Sequence, residues 1–396
     1  MNEKREPILF NAYKECCGCS ACVAVCPKNA IYLEENEEGF YYPRVDENKC
    51  IKCYQCEQVC AFKRDGIQEK EVSALEVYAI KNKNKETIKR SSSGGLFYAL
   101  SDMYLESGNA VASCIYDVQK KEVVLCIYED KKSRDSACGS KYIQAVIKDE
   151  FVQISDWLKN NPSKEMLVIG TGCQIAGLDA YLKKGGLRER AFLVDLICHG
   201  APSPGLWKKY ATHVEKKNNG IIEYISFKDK RNGWKNPMTY ALINGKEITI
   251  KPFADWFYCE WSIRESCYQC PYTKINRSSD MTIGDYWGIE TVFPEFYDSM
   301  GVSLAIVQNE RGKQVLNAIS NKLDLVGSNE KECLQPRLIS PANKPKNREM
   351  FWRDMNQKGI SYCEKKYKEE NPYLLSSRVK RKINSLLKIF FKTINK

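Results

Sequence analysis

Two short apolar runs in the middle of the chain, residues 166–170 and 192–197, end in the same way. The first runs into Cys173 and the second into Cys198, and a helical pattern follows each. This alternation of strand and helix is typical of a parallel sheet. We therefore predict an α/β domain with both cysteines just past the carboxyl ends of neighbouring strands, where ligands gather in such sheets.

Closer to the N-terminus, a strand-like run at 77–80 leads to a serine- and glycine-rich loop and an apolar helical pattern over 96–106. A loop of this kind at a helix start exposes backbone N–H groups and the positive end of the helix dipole. It suits a phosphate, as in a flavin dinucleotide, although a capped helix with a flexible start is the alternative. The loop residues are Ser91, Ser92, Ser93, Gly94 and Gly95.

The first 60 residues carry a different pattern, a run Cys-x2-Cys-x2-Cys-x3-Cys that occurs twice, with Cys50 lying 34 residues after Cys16. Two-residue gaps let a short loop reach three corners of a cubane cluster, while the fourth cysteine reaches the neighbouring cluster. Zinc sites are the alternative, but they use two Cys-x2-Cys pairs separated by a longer loop. We predict two 4Fe–4S clusters, one held by Cys16, Cys19, Cys22 and Cys60 and the other by Cys26, Cys50, Cys53 and Cys56.

A further Cys-x2-Cys pair is formed by Cys267 and Cys270. Together with Cys173 and Cys198 it is a candidate ligand set for a third 4Fe–4S cluster. Buried structural cysteines, which are common, are the alternative. Of the remaining thiols, Cys17 competes with Cys16 as a ligand, and Cys259 is the candidate substitute in the third set.

The loop at 279–288 mixes acids, glycines and aromatic residues and includes Gly284 and Asp285. Aromatic side chains and glycines that permit close approach suit a flat ring system. A tight turn under a core tryptophan is the alternative. We include both named residues among the candidate cofactor-binding residues.

Composition narrows the class of protein. The chain has 396 residues, 19 cysteines and two histidines. No 18-residue apolar run is present, and the first residues do not form a secretory signal, so we expect reduced thiols in a cytoplasmic protein rather than a disulfide scaffold. Two histidines leave little supply for imidazole-based metal sites.

The net charge of +11 is concentrated at the C-terminus, where residues 378–396 contain seven basic residues and no acid. This distribution argues against a nucleic-acid partner for the protein as a whole. Apolar residues alternate with the basic ones in this tail. It therefore has the pattern of an amphipathic helix that contacts a membrane surface or a partner peripherally, with a packed or frayed terminal helix as the alternative.

Taken together, the motifs resemble the beta-subunit family of coenzyme F420 hydrogenases and dehydrogenases, in the form that carries an N-terminal ferredoxin module. The resemblance runs from about residue 10 to about residue 310. It implies an FAD-binding α/β domain with its own 4Fe–4S cluster near the flavin, and it places the 284–288 loop near the flavin. The resembling segments are residues 91–95, 139–142, 170–178, 198–203, 267–271 and 284–288.

We therefore expect an α+β ferredoxin-like dicluster module over 1–68, an α/β flavin-binding domain with a mostly parallel or mixed sheet over 72–330, and a helical basic extension over 331–396. The expected function is an iron–sulfur flavoprotein oxidoreductase that passes electrons between a ferredoxin or another redox protein and a small organic substrate. Alternatives are a non-catalytic electron-transfer subunit and a ferredoxin fused to a structural domain. The candidate polar residues near the flavin or substrate are Lys141, Tyr142 and His199, with an ordinary surface lysine as the alternative for Lys141.

Overall fold

The computed structural model describes residues 5–63 and 75–368. In the N-terminal module, β1 (Ile31–Glu35) and β2 (Tyr41–Val45) form an antiparallel hairpin. Each cysteine run begins its short helix, α1 (Ala21–Ala24) or α2 (Gln55–Gln58), after a residue with positive φ. These residues, Ser20 at 63° and Tyr54 at 57°, are 34 positions apart, so the sequence repeat is also a repeat of backbone conformation.

The large domain is built on one eight-stranded mixed sheet in the order β13-β3-β12-β11-β7-β6-β4-β5. Neighbours among β4, β6, β7 and β11 run parallel, and the remaining pairs are antiparallel. The predicted parallel or mixed sheet is thus confirmed. The strands are β3 (Glu76–Asn82), β4 (Ala110–Asp117), β5 (Glu122–Tyr128), β6 (Met166–Thr171), β7 (Ala191–Leu196), β11 (Met281–Asp285), β12 (Ser303–Val307) and β13 (Leu323–Ser328).

The central strands read as continuous apolar runs because both faces of the sheet are covered. Along β6, Met166 and Val168 pack into one core and Leu167 and Ile169 into another. The first core also contains Ala21 of the N-terminal module. That module therefore shares a hydrophobic core with the large domain.

A three-stranded antiparallel sheet and the remaining helices complete the described chain. The sheet consists of β8 (Ile222–Asp229), β9 (Met238–Ile243) and β10 (Lys246–Thr249). The helices are α3 (Lys85–Arg90), α4 (Leu96–Glu106), α5 (Lys131–Arg134), α6 (Glu150–Asn160), α7 (Gly172–Lys184), α8 (Pro204–Lys217), α9 (Lys251–Tyr258), α10 (Ile289–Val292), α11 (Glu310–Ala318), α12 (Pro336–Ile339), α13 (Arg348–Lys358) and α14 (Ile360–Lys366).

Polar contacts fix the N-terminal module against the large domain. The guanidinium of Arg348, which is 1% exposed, donates to both carboxylate oxygens of Glu38 at 2.7 and 2.6 Å. It also pairs with Glu265 at 2.8 Å. One arginine at the start of α13 therefore joins a carboxylate of the module to a carboxylate of the large domain.

Replacing Arg348 with methionine is expected to lower the free energy of unfolding by about 3 kcal/mol, because two largely desolvated carboxylates lose their shared cation. Urea unfolding of the cluster-loaded protein measures this. Arg231→Met is the matched control, since its pair with Glu247 is exposed on both sides and contributes at most about 1 kcal/mol. Equal losses in the two variants would contradict the bridging role of Arg348.

Candidate functional site

The N-terminal module contains one small cavity whose wall carries four thiols, which we call the distal thiols. Pro7, Ile31, Val45 and Ile51 complete much of the wall. The thiols thus converge on an enclosed, largely apolar space, as the donor set of a buried cluster requires. They are the four residues that the spacing assigns to one cluster, Cys26, Cys50, Cys53 and Cys56.

The second predicted set also comes together, and we call its members the boundary thiols. Burial, together with the neighbouring Cys19, Cys16 and Cys60 groups, raises the pKa of Cys22 well above its ordinary value. Burial and the charge of Cys19 likewise raise the pKa of Cys60. Such mutual effects show that the four sulfurs lie close to one another. The boundary thiols are Cys16, Cys19, Cys22 and Cys60.

Four thiols of the large domain, which we call the inner thiols, approach one another from separate segments. Cys173 lies in the first turn of α7, and Cys198 follows β7. Burial, followed by the charges of Cys198, Cys270 and Cys173, raises the pKa of Cys267 well above its ordinary value. The parallel order of β6 and β7 thus brings Cys173 and Cys198 to one edge of the sheet, where Cys267 and Cys270 approach them.

The extra thiol, Cys17, lies between the boundary and the inner thiols. It is 5% exposed and within hydrogen-bond reach of both Cys173 and Cys19. Its hydrogen bond lowers the pKa of Cys173 to about 7, although burial acts in the opposite direction. Gly177 lets Cys19 lie close to α7, because a Cβ at this position would lie 2.7 Å from the Cys19 sulfur.

A cavity of about 1070 Å³ opens beside the inner thiols, at the carboxyl ends of β6 and β7. This volume is at the upper end of the range found for small-molecule and cofactor sites. One of the inner thiols, Cys198, forms part of the cavity wall, together with Thr171 at the end of β6. The wall also includes most of the other sequence-predicted site residues: Ser91, Ser92, Ser93, Gly95, Lys141, Tyr142, His199, Gly284 and Asp285.

Gly94 does not line this cavity, and its role is to let the serine loop pack against the sheet. Its N–H donates to the Ser303 hydroxyl at 2.9 Å. A Cβ on Gly94 would collide with the carbonyl oxygen of Ile80 and lie 2.7 Å from the Ser303 nitrogen. Gly95, with φ of 88°, then begins α4. The N-terminus of this eleven-residue helix is thereby fixed at the cavity wall.

A buried lysine stabilises the same loop from behind. Lys230, 5% exposed, donates to the carbonyl oxygens of Ile88 at 2.7 Å and Ser93 at 3.2 Å, and it also bonds Met300. The hydroxyl of Ser140 donates to the Ser92 hydroxyl at 2.9 Å in the cavity wall. The loop is therefore held on two sides.

The three candidate polar residues all line the wall, and Tyr142 and His199 pack against the same ring, that of Phe257. The ammonium of Lys141 donates to the carbonyl oxygens of Ala137, Cys138 and Gly139, and burial lowers its pKa to about 8. Tyr142 stacks on Phe257 at 4.9 Å. Burial, and then the charge of Arg337, lower the pKa of His199 to about 3, so its ring is neutral at physiological pH.

The 284–288 loop presents aromatic surface to the cavity. Asp285 accepts from Lys228 at 2.5 Å and from the indole N–H of Trp234 at 2.7 Å. Trp234 is fully buried and stacks on Trp287 at 4.6 Å with an interplanar angle of 9°. Trp287 is 38% exposed and lines the cavity. Through its bond to Trp234, Asp285 thus helps to position the stacked rings of Trp234 and Trp287 at the cavity.

Several residues that organise these sites carry no sequence signal. Gln144 donates to the carbonyl oxygen of Cys17, 127 positions away, and Arg264 donates to that of Cys16, 248 positions away. Neither residue belongs to a spaced motif, so local pattern could not identify it. Only the three-dimensional contact between the module and the large domain reveals it.

In the described ranges, no helix is both long enough and apolar enough to cross a bilayer. The basic tail from Arg378 onward lies outside the described residues. The membrane-contact prediction therefore remains a prediction from the sequence.

Two regions of the chain match known protein families. Residues 15–63 match the family described as a 4Fe-4S dicluster domain, so the chain is an iron–sulfur redox protein. Residues 163–331 match the family described as the C terminus of the beta subunit of coenzyme F420 hydrogenase/dehydrogenase. These two matches, in this order along the chain, confirm the resemblance to the coenzyme F420 hydrogenase/dehydrogenase beta-subunit family with an N-terminal dicluster domain.

Two individual proteins are similar over parts of the chain. An uncharacterized protein of Nostoc sp. (strain PCC 7120 / SAG 25.82 / UTEX 2576) is 24% identical over 174 residues, which are 44% of this chain and 39% of that protein. The chain thus spans about two fifths of the length of this curated relative. A chain in the xenon-derivatized F420-reducing NiFe hydrogenase complex from Methanosarcina barkeri matches 72% of this chain and 90% of its own length, at 15% identity and a TM-score of 0.45.

Proposed function

We propose that this chain is an iron–sulfur flavoprotein oxidoreductase that passes electrons between a ferredoxin-type partner and an organic substrate. The proposed ligands are the distal, boundary and inner thiols, for three 4Fe–4S clusters, and FAD is assigned to the cavity beside the inner thiols. The bound clusters would exchange single electrons, and bound FAD would accept one or two and deliver hydride to a substrate.

The observation that carries the proposal is the shared position of two predicted sites. Cys198, an inner thiol, lines the same cavity as Ser91 of the serine loop and Asp285 of the aromatic loop. These three segments are far apart in sequence and were assigned to cofactors for independent reasons. Their meeting at one sheet edge supports a flavin next to a cluster.

Charge and shape in the cavity support FAD as its ligand. Five cationic side chains line the wall, against two carboxylates, Asp255 and Asp285. Because four of these five cations pair with carboxylates, the anionic diphosphate is assigned to the serine loop at the start of α4, which offers it backbone donors. The exposed face of Trp287 suits a flat ring. The cationic residues are Lys141, Lys228, Lys235, Lys251 and Arg337.

The contacts of Cys17 support an order for the three cluster sites. Because Cys17 touches one boundary thiol, Cys19, and one inner thiol, Cys173, these two sets are neighbours. The distal thiols lie in the cavity beside Ile51, which is 53% exposed. We therefore propose that a protein partner exchanges electrons at the distal site and that the boundary and inner sites connect it to the flavin.

Lys141→Ala is expected to lower the reduction potential of the bound flavin by about 30 mV or more, which is a tenfold change for a two-electron couple. With a pKa of about 8, this lysine is largely charged at pH 7, and its charge at the wall would stabilise the negative charge that a bound flavin gains on reduction. A spectroelectrochemical titration measures the potential. Lys148→Ala, an exposed lysine outside the cavity wall, is the control. An unchanged potential with FAD fully bound would remove Lys141 from this role.

The proposed function is tested by mixing the anaerobic full-length protein with a chemically reduced bacterial-type ferredoxin. We expect the absorbance of oxidised flavin to disappear. In Cys22→Ser, which removes a boundary ligand, the absorbance should persist. Rapid flavin reduction in this variant would contradict the order of sites. Screening organic acceptors against the reduced protein then separates the oxidoreductase from a non-catalytic electron-transfer subunit, which reoxidises only with a protein partner.

A further inference from the structure

Arg264 is buried at the contact between the N-terminal module and the large domain. It is 1% exposed. Its guanidinium donates to the carbonyl oxygens of Cys16 at 2.7 Å and Tyr41 at 2.9 Å, and to the Gln144 side-chain oxygen at 3.1 Å. It also approaches the Cys16 sulfur at 3.8 Å and lies over the Tyr42 ring at 3.9 Å. The guanidinium of Arg264 is thus surrounded by neutral groups and by the sulfur of Cys16, a candidate cluster ligand.

The charge of Arg264 has no carboxylate partner among the described residues. Four arginines in the described chain are less than 9% exposed, and three of them pair with acids. Arg134 pairs with Asp102 and Asp135, Arg277 with Asp195, and Arg348 with Glu38 and Glu265. Arg264 therefore needs a counter-charge other than a carboxylate, because an isolated buried charge is strongly unfavourable.

Thiolates are the groups placed to supply that counter-charge. Burial acts to lower the pKa of Arg264, but the charges of Cys16, Tyr42, Cys17 and Cys267 outweigh it, and the pKa lies above its ordinary value. Arg264 in turn helps to lower the pKa of Cys173. The guanidinium lies 3.8 Å from the Cys16 sulfur of the boundary set, and the Arg264 carbonyl oxygen accepts a hydrogen bond from the N–H of Cys267 at 2.9 Å, so Arg264 adjoins both the boundary and the inner set.

We propose that Arg264 is the shared counter-charge of the boundary and inner clusters and raises the reduction potentials of both relative to the distal cluster. A cluster held by four thiolates carries net negative charge, and one added electron increases it. A fixed buried cation stabilises the more negative, reduced form, and low effective dielectric strengthens the effect. Electrons that enter at the distal site are then drawn towards the boundary between the module and the large domain. This inference depends on the cluster assignments of the proposed function.

Gln144→Glu tests the charge with little change of shape. It places a carboxylate beside the Arg264 guanidinium, at the position where the amide oxygen now lies 3.1 Å away. We expect the boundary and inner potentials to fall by about 59 mV or more, a tenfold change for a one-electron couple, while the distal potential stays unchanged. Gln144→Met removes the same amide hydrogen bonds without adding charge. It should shift neither potential to that extent.

The measurement is a redox titration monitored by electron paramagnetic resonance on the anaerobic full-length chain, with iron and sulfide determined for each variant. Arg264→Gln is expected to lower the same two potentials. Full iron content with unmoved potentials in Gln144→Glu would overturn this inference alone. Equal shifts in the glutamate and methionine variants would also overturn it. Wild-type protein with about eight iron atoms instead of about 12 would overturn the inner-cluster assignment, and the shared role with it.

Discussion

Replacing Cys173 with serine is expected to reduce the iron content from about 12 to about 8 atoms per chain while FAD stays bound. Cys173 lies in the first turn of α7, where the inner thiols converge and where Cys17 reaches from the N-terminal module. A hydroxyl is a far poorer ligand for iron than a thiolate, so the inner cluster should be lost. Flavin reduction by a reduced ferredoxin should be lost as well.

Iron, sulfide and flavin analysis of the anaerobically purified variant provides the measurement. Cys126→Ser is the matched control, because this thiol lies on β5 and belongs to none of the three sets. The control should keep all of its iron. If Cys173→Ser kept about 12 iron atoms and its flavin reduction, the inner thiols would not be a cluster site.

Gly94→Ala is expected to reduce bound FAD to less than about a tenth of the wild-type content while the iron content is kept. The added methyl group has no space, because it would collide with the Ile80 carbonyl oxygen and crowd the Ser303 nitrogen. The serine loop must then move away from the sheet, and the donors at the start of α4 move with it. A displacement of this kind costs typically 1–3 kcal/mol or more in a packed environment.

Gly327→Ala is the control for this change. Gly327 lies on β13 of the same sheet, and a Cβ there would meet nothing within 4 Å. Released flavin is measured by fluorescence after denaturation, next to iron on the same sample. Full FAD content in Gly94→Ala would show that the serine loop does not hold the flavin.

The regular, local features of this protein were predictable from sequence. Spacing alone identified the repeated cysteine run, because four ligands within eleven residues leave few other interpretations. The strands β6 and β7 and the helix α4 were also predictable, since buried strands and amphipathic helices have distinct apolar patterns. The bounds of β6 and β7 differ from the prediction by at most one residue at either end, and those of α4 agree with it. The helix α7 begins at Gly172, so Cys173 lies within its first turn and not in a preceding loop.

The contacts between distant segments were not predictable in the same way. The inner thiols come from three segments, and only the order of strands in the sheet brings them together. Arg264 and Gln144 have ordinary neighbours in sequence, and their positions follow from docking the module onto α7 and the large domain. Asp285, a candidate cofactor-binding residue, lines the cavity and also bonds Lys228 and Trp234, two contacts that sequence does not reveal. The close packing of Gly94, another candidate, against Ile80 and Ser303 is likewise visible only in the structure.

The proposed function requires that one chain holds three clusters and one flavin in a continuous arrangement. The most direct test is to purify the full-length protein without oxygen and determine iron, acid-labile sulfide and released flavin per chain. We expect about 12 iron atoms, as many sulfides and one FAD. About eight iron atoms and no flavin would contradict it, since only the N-terminal dicluster module would then carry cofactors.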